Sequence, residues 1–341
     1  MPVKSSESFL ERRLRKIVIS RDAYDKVCRT HEGVYNEVKS WSALKLIFLD
    51  HVADVYSSIM KNRYPGRYSY VDLFSGSGVG KVEDVKGDRI FGSPLLVSKH
   101  EFPQFIFCDD NKEYSDALDA RLKSLNPSQE NYKVINGNCN KKIDEILSIV
   151  GDERKHSLIF IDPYGMELEW RTFERILGLN ADIVFNFMTK SNARGITQKG
   201  KITEASRNFF KEPAVVEKIN GSFRVEDPLG DRLLSQYIQD IKDTRVKIDS
   251  AKGIKRRTIV ESVRIKKEDN SFYYDLLFII RETQGSCPWL KAILEAKKEI
   301  ERLDSGQVQR VLNVLQGRQA KLSFGVAHNK TPDLSSFFNR N

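Results

Sequence analysis

Cysteine is scarce in this 341-residue chain, and the four that occur, Cys28, Cys108, Cys139 and Cys287, form no Cys-x-x-Cys pair. That spacing excludes a disulfide framework and a zinc knuckle, so the sequence predicts reduced, structural cysteines and no metal site. Long apolar runs are missing too: no stretch approaches the ~20 residues that a bilayer-spanning helix needs. The first residues, Met1-Pro2-Val3-Lys4-Ser5-Ser6-Glu7, lead into charged Glu11-Arg12-Arg13 and not into an apolar core. No secretory signal is visible, and a cytoplasmic protein is expected. No internal repeat or low-complexity tract occurs.

What is present is the balance of a globular protein, 40% hydrophobic and 30% charged residues, in a length that suits one enlarged domain or two. Basic residues outnumber acidic ones by 56 to 47, a net +9, which is compatible with a polyanionic partner without requiring one. The excess concentrates between Lys252 and Lys267, where Lys252, Lys255, Arg256, Arg257, Arg264, Lys266 and Lys267 meet one acidic residue, Glu261. Either a solvated strand face or a phosphate-contacting hairpin accounts for that run.

Residues 1–62 read as a helical segment, with Leu44, Ile47, Leu49, Val52, Val55 and Ile59 near the spacing of a buried stripe. From 63 to 190 short apolar runs alternate with amphipathic stretches. Strands are expected at Tyr68–Phe74, Phe105–Cys108, Tyr132–Ile135, Leu158–Ile161 and Ile183–Phe187, and helices around Ser93–His100, Lys112–Leu125, Asn140–Val150 and Arg171–Leu177. That rhythm indicates a parallel, helix-covered sheet. Residues 191–251 read as a helical insertion packed through Phe209, Phe210, Leu233, Leu234 and Tyr237. A closing hairpin turned at Asp269-Asn270 is expected over 252–284, then a helical extension over 285–341 with a tail after Phe324.

Chemistry is expected at the strand tips, because in open α/β sheets ligands bind just outside the carboxyl ends of the strands. The fourth strand opens into Asp162-Pro163-Tyr164-Gly165, and the first into Asp72-Leu73-Phe74-Ser75-Gly76-Ser77-Gly78. Gly76 and Gly78 permit a close backbone approach, and a strand-to-helix turn there would leave amide donors free; tight packing is the other use of such a turn. The dinucleotide pattern Gly-x-Gly-x-x-Gly is not met, since Gly80 comes one position early, which argues against nicotinamide and flavin cofactors. At the next two tips, Asp109 offers a carboxylate to ribose hydroxyls and Asn138 an amide to an adenine edge. Helix capping by Asp109 or Asp110, and turn chemistry at Asn138, are the alternatives. Asp162 and the Pro163 carbonyl can accept from an exocyclic amine while Tyr164 stacks on its ring; otherwise Asp162-Pro163 merely ends a strand and Tyr164 packs.

In this order the motifs resemble those of S-adenosylmethionine-dependent methyltransferases, whose amino-methylating members carry Asp-Pro-Pro-Tyr. The tetrapeptide is more similar to the Asp-Pro-Phe/Tyr-Gly of tRNA guanine N2-methyltransferases. With Gly92-Ser93-Pro94-Leu95 and Asn186-Phe187-Met188-Thr189 added, the chain resembles the three-Cys-motif partner proteins, a methyltransferase-like family, over roughly residues 35 to 320. The resemblance implies an α/β class I methyltransferase (Rossmann-like) fold: a mainly parallel seven-stranded sheet with a closing antiparallel hairpin, plus N-terminal, inserted and C-terminal helices. It also implies S-adenosylmethionine as cofactor and a partner carrying a three-cysteine, radical-S-adenosylmethionine-like motif.

Carried over by position, Asp72, Phe74, Gly76 and Gly78 would surround the methionine part, Asp109 the ribose and Asn138 the adenine, where an acidic residue is more usual. Asp162, Pro163 and Tyr164 would hold the acceptor, with Asn186 lining the same pocket. The expected activity is methyl transfer to a nucleobase nitrogen of RNA or DNA, with Lys255, Arg256 and Arg257 on phosphates. A noncatalytic subunit of the same fold, docking a three-Cys-motif partner or nucleic acid, is the alternative. An amine can release its proton to water, so no catalytic histidine is required; a cytosine-C5 mechanism needs a cysteine nucleophile, and neither Cys139 nor Cys287 follows a proline.

Overall fold

The five apolar runs between residues 68 and 187 form β2 (Tyr68–Asp72), β5 (Gln104–Asp109), β6 (Tyr132–Asn136), β7 (His156–Ile161) and β8 (Ala181–Phe187). They are described by a computed structural model covering residues 9–317 apart from 87, 152–153, 198–202, 215, 217–218, 220–227 and 283–287. The hairpin strands β9 (Thr258–Lys266) and β10 (Tyr273–Arg281) complete a seven-stranded sheet in the order β6-β5-β2-β7-β8-β10-β9. All neighbours are parallel except β10, which runs antiparallel to β8 and β9. A first strand at the centre with a reversed hairpin at one edge is the class I methyltransferase order, so the α/β fold expected from the sequence is the one observed.

Alternate strand residues point to opposite faces, and each face has its own core. Tyr70, Phe105, Phe107, Leu158, Phe160 and Leu276 pack with α1 (Phe9–Ile17), α3 (Ser42–Arg63), α4 (Ser93–Val97) and α5 (Lys112–Leu125). On the other face Val71, Ile106, Ile159, Ile161, Phe185 and Leu277 pack with α6 (Cys139–Val150) and α7 (Trp170–Leu177). The inserted segment adds α8 (Thr189–Thr197), α9 (Glu204–Phe209) and α10 (Leu229–Ala251) to this second core, where Tyr237 stacks on Phe209 at 4.9 Å between ring centroids. Its expected packing residues Phe209, Phe210, Leu233, Leu234 and Tyr237 are all buried. Helices α11 (Pro288–Glu301) and α12 (Ser305–Leu315) follow; the tail expected after Phe324 lies outside the described residues.

Two expectations are corrected. The amino-terminal segment is not wholly helical: α2 (Arg21–Val27) is followed by β1 (Asn36–Val38), which pairs in parallel with β3 (Val79–Val82), itself antiparallel to β4 (Asp88–Phe91). Nor does the glycine turn open a helix. It feeds β3, and the chain reaches α4 only after the β3–β4 hairpin returns to its starting point, where the Gly92 amide donates to the Gly78 carbonyl at 2.7 Å. A Cβ on Gly92 would lie 3.0 Å from the Gly78 carbonyl carbon, so glycine is what lets the hairpin close. Strands of three or four residues are too short for period-two alternation to be read from sequence.

Among the described residues no helix is long and apolar enough to cross a membrane, and no group of three or more His, Cys, Asp or Glu side chains could hold a metal. Cys28, Cys108 and Cys139 are free and buried; Cys287 lies outside the described residues.

One buried cation ties these parts together. Arg121 of α5, 1% exposed, donates to the carbonyls of Ser77 at 2.7 Å, Val27 at 2.6 Å, Val34 at 2.6 Å and His31 at 3.1 Å. Charged-donor hydrogen bonds contribute about 1.5–3 kcal/mol each, and the carbonyls left behind by a deletion cost more. Arg121→Leu should therefore lower the free energy of unfolding in urea by about 3 kcal/mol or more; a loss under about 1 kcal/mol would show that the contacts are incidental.

Candidate functional site

Five strand tips, together with β1, α3, the β3–β4 hairpin and the start of β10, line a cavity of about 660 Å³. Its floor comes from Leu73 to Gly78, threaded between neighbouring strands: the Leu73 amide donates to the Phe160 carbonyl at 3.1 Å and the Ser75 amide to the Cys108 carbonyl at 2.9 Å. Gly76 and Gly78 hold φ values of +60° and +79°, which glycine adopts without strain. At Gly76 the space is closed as well, since a Cβ would meet Asn36 Oδ1 at 2.5 Å.

Of the residues expected around a cofactor, Phe74, Gly76, Gly78, Asp109 and Asn138 line this cavity, as do Asp162, Pro163, Tyr164 and Asn186. Asp72 does not. It is fully buried beneath the loop, where it accepts from the Phe74 amide and the Tyr70 hydroxyl, both at 3.3 Å, so it shapes the loop and touches no ligand space. Burial pushes its carboxyl up to about 7, against hydrogen bonds from Ser93, Phe74 and Tyr70 that favour the charged form.

Asp109 spans two amides, Gly76 at 2.7 Å and Asn111 at 3.0 Å, while burial raises its carboxyl. It thus fixes the glycine loop from the β5 tip while lining the cavity. Neither Asp109 nor Asp110 caps α5; Asn111 does, accepting from the Tyr114 amide at 3.2 Å. Asn138 caps α6 through its Oδ1, which accepts from the Asn140 amide at 3.0 Å, while also lining the cavity.

At the β7 tip, Asp162 is engaged on both oxygens. Oδ1 accepts from Asn186 Nδ2 at 2.7 Å, and Oδ2 from the ammonium of Lys45 on α3. Lys45 and Asp162 are 13% and 19% exposed, so the pair is largely withdrawn from water yet opens onto the cavity. Asn186 Oδ1 is buried without a hydrogen-bond partner; the amide orientation is fixed because a carboxylate can only accept. Tyr164, 70% exposed, lies across the mouth with its hydroxyl accepting from Asn36 Nδ2 at 3.2 Å. Asn36 Oδ1 in turn accepts from the Ser77 amide at 2.8 Å, so one β1 side chain links the glycine loop to the β7 tip.

Sequence reasoning missed Lys45, Asn36 and Arg121. Lys45 left a trace, as the one cation inside the apolar run Ala43–Leu49, whereas Asn36 and Arg121 left none. Lys255, Arg256 and Arg257 are not at this site. They precede β9, whose Thr258 stands opposite Arg281 at the far end of β10, so the antiparallel hairpin puts them at the amino edge of the parallel strands. The five steps of about 3.3 Å along the six residues of β7 separate the two edges by about 17 Å. Arg257 there pairs with Glu282, both bonds at 3.1 Å.

No protein-family model and no curated protein matches the chain. Solved structures with a similar course do. They include an O-methyltransferase from Bacillus cereus in complex with SAH, at TM-score 0.38 and 11% identity, covering 81% of this chain and 93% of that one. A Legionella pneumophila protein matches at TM-score 0.39 and 14% identity over 72% and 89% of the two chains. Trm5b from Pyrococcus abyssi matches at TM-score 0.32 and 14% identity over 73% and 50%. Likeness of this size adds nothing to what the strand order gives.

The raised Asp72 carboxyl has a consequence for stability. Its proton is held to about pH 7 in the fold but only to about 3.8 in the unfolded chain, so its favourable contribution is complete below pH 4 and lost as pH rises to 7. Each pH unit in that window costs about 1.4 kcal/mol. Asp72→Asn, uncharged throughout, should gain on wild type in urea denaturation from pH 4 to 7 and hold a constant margin above; a margin independent of pH would refute this.

Proposed function

We propose that the chain is an S-adenosylmethionine-dependent methyltransferase acting on a nitrogen of a nucleobase in RNA or DNA. The observation that carries this reading is the position of the Asp162 carboxylate, at the tip of β7 and in one cavity with the glycine loop after β2. The residues fit the cofactor: Gly76 and Gly78 offer a wall without side chains and Phe74 an apolar ring for a methionine part, Asp109 a carboxylate for ribose hydroxyls, and Asn138 a polar edge for adenine. Bound there, S-adenosylmethionine supplies an electrophilic methyl group.

The chain's own residues supply position. Asp162 accepts a hydrogen bond from the acceptor amine, the Pro163 carbonyl is a second acceptor, and the exposed ring of Tyr164 gives a face on which a base can stack. Lys45 beside Asp162 places a donor next to an acceptor, which suits a base edge whose N–H adjoins an acceptor atom. Guanine (N1–H beside O6), adenine (N6–H beside N1) and cytosine (N4–H beside N3) all present such an edge, so the pair suits a type of edge and not one base. Orientation of this kind contributes up to ~7–11 kcal/mol in favourable systems, and the acceptor proton leaves to water.

A second reading has its own support. Both Asp162 oxygens are already engaged and Asn138 serves as a helix cap, an arrangement that suits a noncatalytic subunit. In either reading the resemblance to three-Cys-motif partner proteins supports a Cys-rich, radical-S-adenosylmethionine-like partner.

Calorimetric titration with S-adenosylhomocysteine and labelled methyl transfer to RNA, DNA and protein separate the two. A methyltransferase binds the ligand, labels nucleic acid, and loses about a hundredfold or more of its rate in Asp162→Ala while keeping ligand affinity. In Lys45→Met transfer to nucleic acid should fall as well, since the donor beside Asp162 is lost. No binding heat would favour the noncatalytic subunit, and undiminished transfer by Asp162→Ala would remove the proposed role of the β7 tip.

A further inference from the structure

The amino edge of the sheet, away from the cavity, holds a recess of about 420 Å³ lined by Tyr64, Asn180, Lys252, Lys255, Arg256 and Arg281, among others. Its walls are set by the fold: Tyr64 follows α3, Asn180 precedes β8, Lys255 and Arg256 precede β9, and Arg281 ends β10. The cations in it fall into two groups. Arg281 is satisfied by Asp249, at 2.7 to 3.1 Å, and by the Leu179 carbonyl at 2.6 Å, while Lys252 donates to the Gly178 carbonyl at 2.9 Å. Lys255 and Arg256 are exposed, and among the described residues no carboxylate pairs with either.

The second observation concerns the buried side of the same sheet edge, at the start of β8. Arg245 of α10 is fully buried, yet its Nε and Nη1 have no hydrogen-bond partner, and Nη2 reaches only the Ala181 carbonyl at 3.3 Å. Buried guanidinium donors normally find acceptors, because leaving them unpaired is costly. The same positive field registers on His156, the first residue of β7, which is held neutral down to about 3 by burial and then by Arg245, Arg281, Arg256 and Arg63. A recess with two cations unmatched by carboxylates at its mouth, at an edge where buried Arg245 adds positive charge, favours an anion with several acceptor oxygens.

We propose that this recess binds a phosphate group. It is separate from the cavity at the carboxyl edge, by about the 17 Å that the strands span, so its ligand does not occupy the place of a methyl acceptor. The phosphate has two possible sources with the same chemistry: a free phosphate, or a phosphodiester of a nucleic acid that reaches around the sheet edge.

Binding of inorganic phosphate by calorimetry and of a fluorescein-labelled single-stranded 20-mer RNA by polarisation, each over a salt series, tests this on the full chain. The variants are the Lys255→Gln/Arg256→Gln double and, as a charge control on another face, Lys141→Gln; thermal unfolding checks that each is folded. The proposal expects the double variant to weaken at least one probe about tenfold and to lower the RNA salt slope by about two, with Lys141→Gln near wild type. Saturable phosphate binding that competes with RNA assigns a free-phosphate site that nucleic acid shares; RNA binding without phosphate binding assigns the phosphodiester. Binding of neither probe, or equal weakening by Lys141→Gln, overturns it.

Discussion

Everything around the candidate site hangs on a cation buried without a carboxylate. The guanidinium of Arg121 is planar and presents its donors in a fixed fork, so its neighbours must bring carbonyls to it. They come from three places: the glycine loop at Ser77, the end of α2 at Val27, and the turn of His31 and Val34. Because Val34 stands two residues before Asn36, fastening that turn also delivers the Asn36 amide to the Ser77 backbone and the Tyr164 hydroxyl. The amino-terminal segment is thereby part of the cavity wall, and not an appendage to a finished sheet.

The two edges of the sheet divide the polar chemistry between them. At the carboxyl edge, charges are paired across long sequence distances and face a shared cavity, as in Lys45 with Asp162. At the amino edge, positive charge exceeds what the neighbouring carboxylates neutralise, even though Asp249 and Glu282 each hold an arginine. The same parallel topology produces both, since it collects all strand beginnings on one side and all strand ends on the other.

Much of the fold was legible because a doubly covered sheet writes short apolar runs, and those runs mark where the chain must turn. The tips at Asp72, Asp109, Asn138 and Asp162 follow from the ends of such runs. Which tip residue faces ligand space does not: Asp72 lies under its loop and Phe74 lines the cavity, a difference of backbone path that residue types do not encode. Lys45 was hidden for another reason, its partner being 117 residues away. The place of the basic run was not legible either, because only the antiparallel pairing of the hairpin brings the start of β9 to the edge opposite the cavity.

The closure of Gly92 on Gly78 makes the β3–β4 hairpin a loop in the topological sense: it leaves and rejoins the chain's main course at a single point. A segment attached that way can vary in length without displacing the strand before it or the helix after it. Since β3 is also what β1 pairs with, variation there would resize one wall of the cavity while its floor stays in place. Related chains could thus differ in the shape of ligand they admit through the hairpin alone, with the central sheet unchanged.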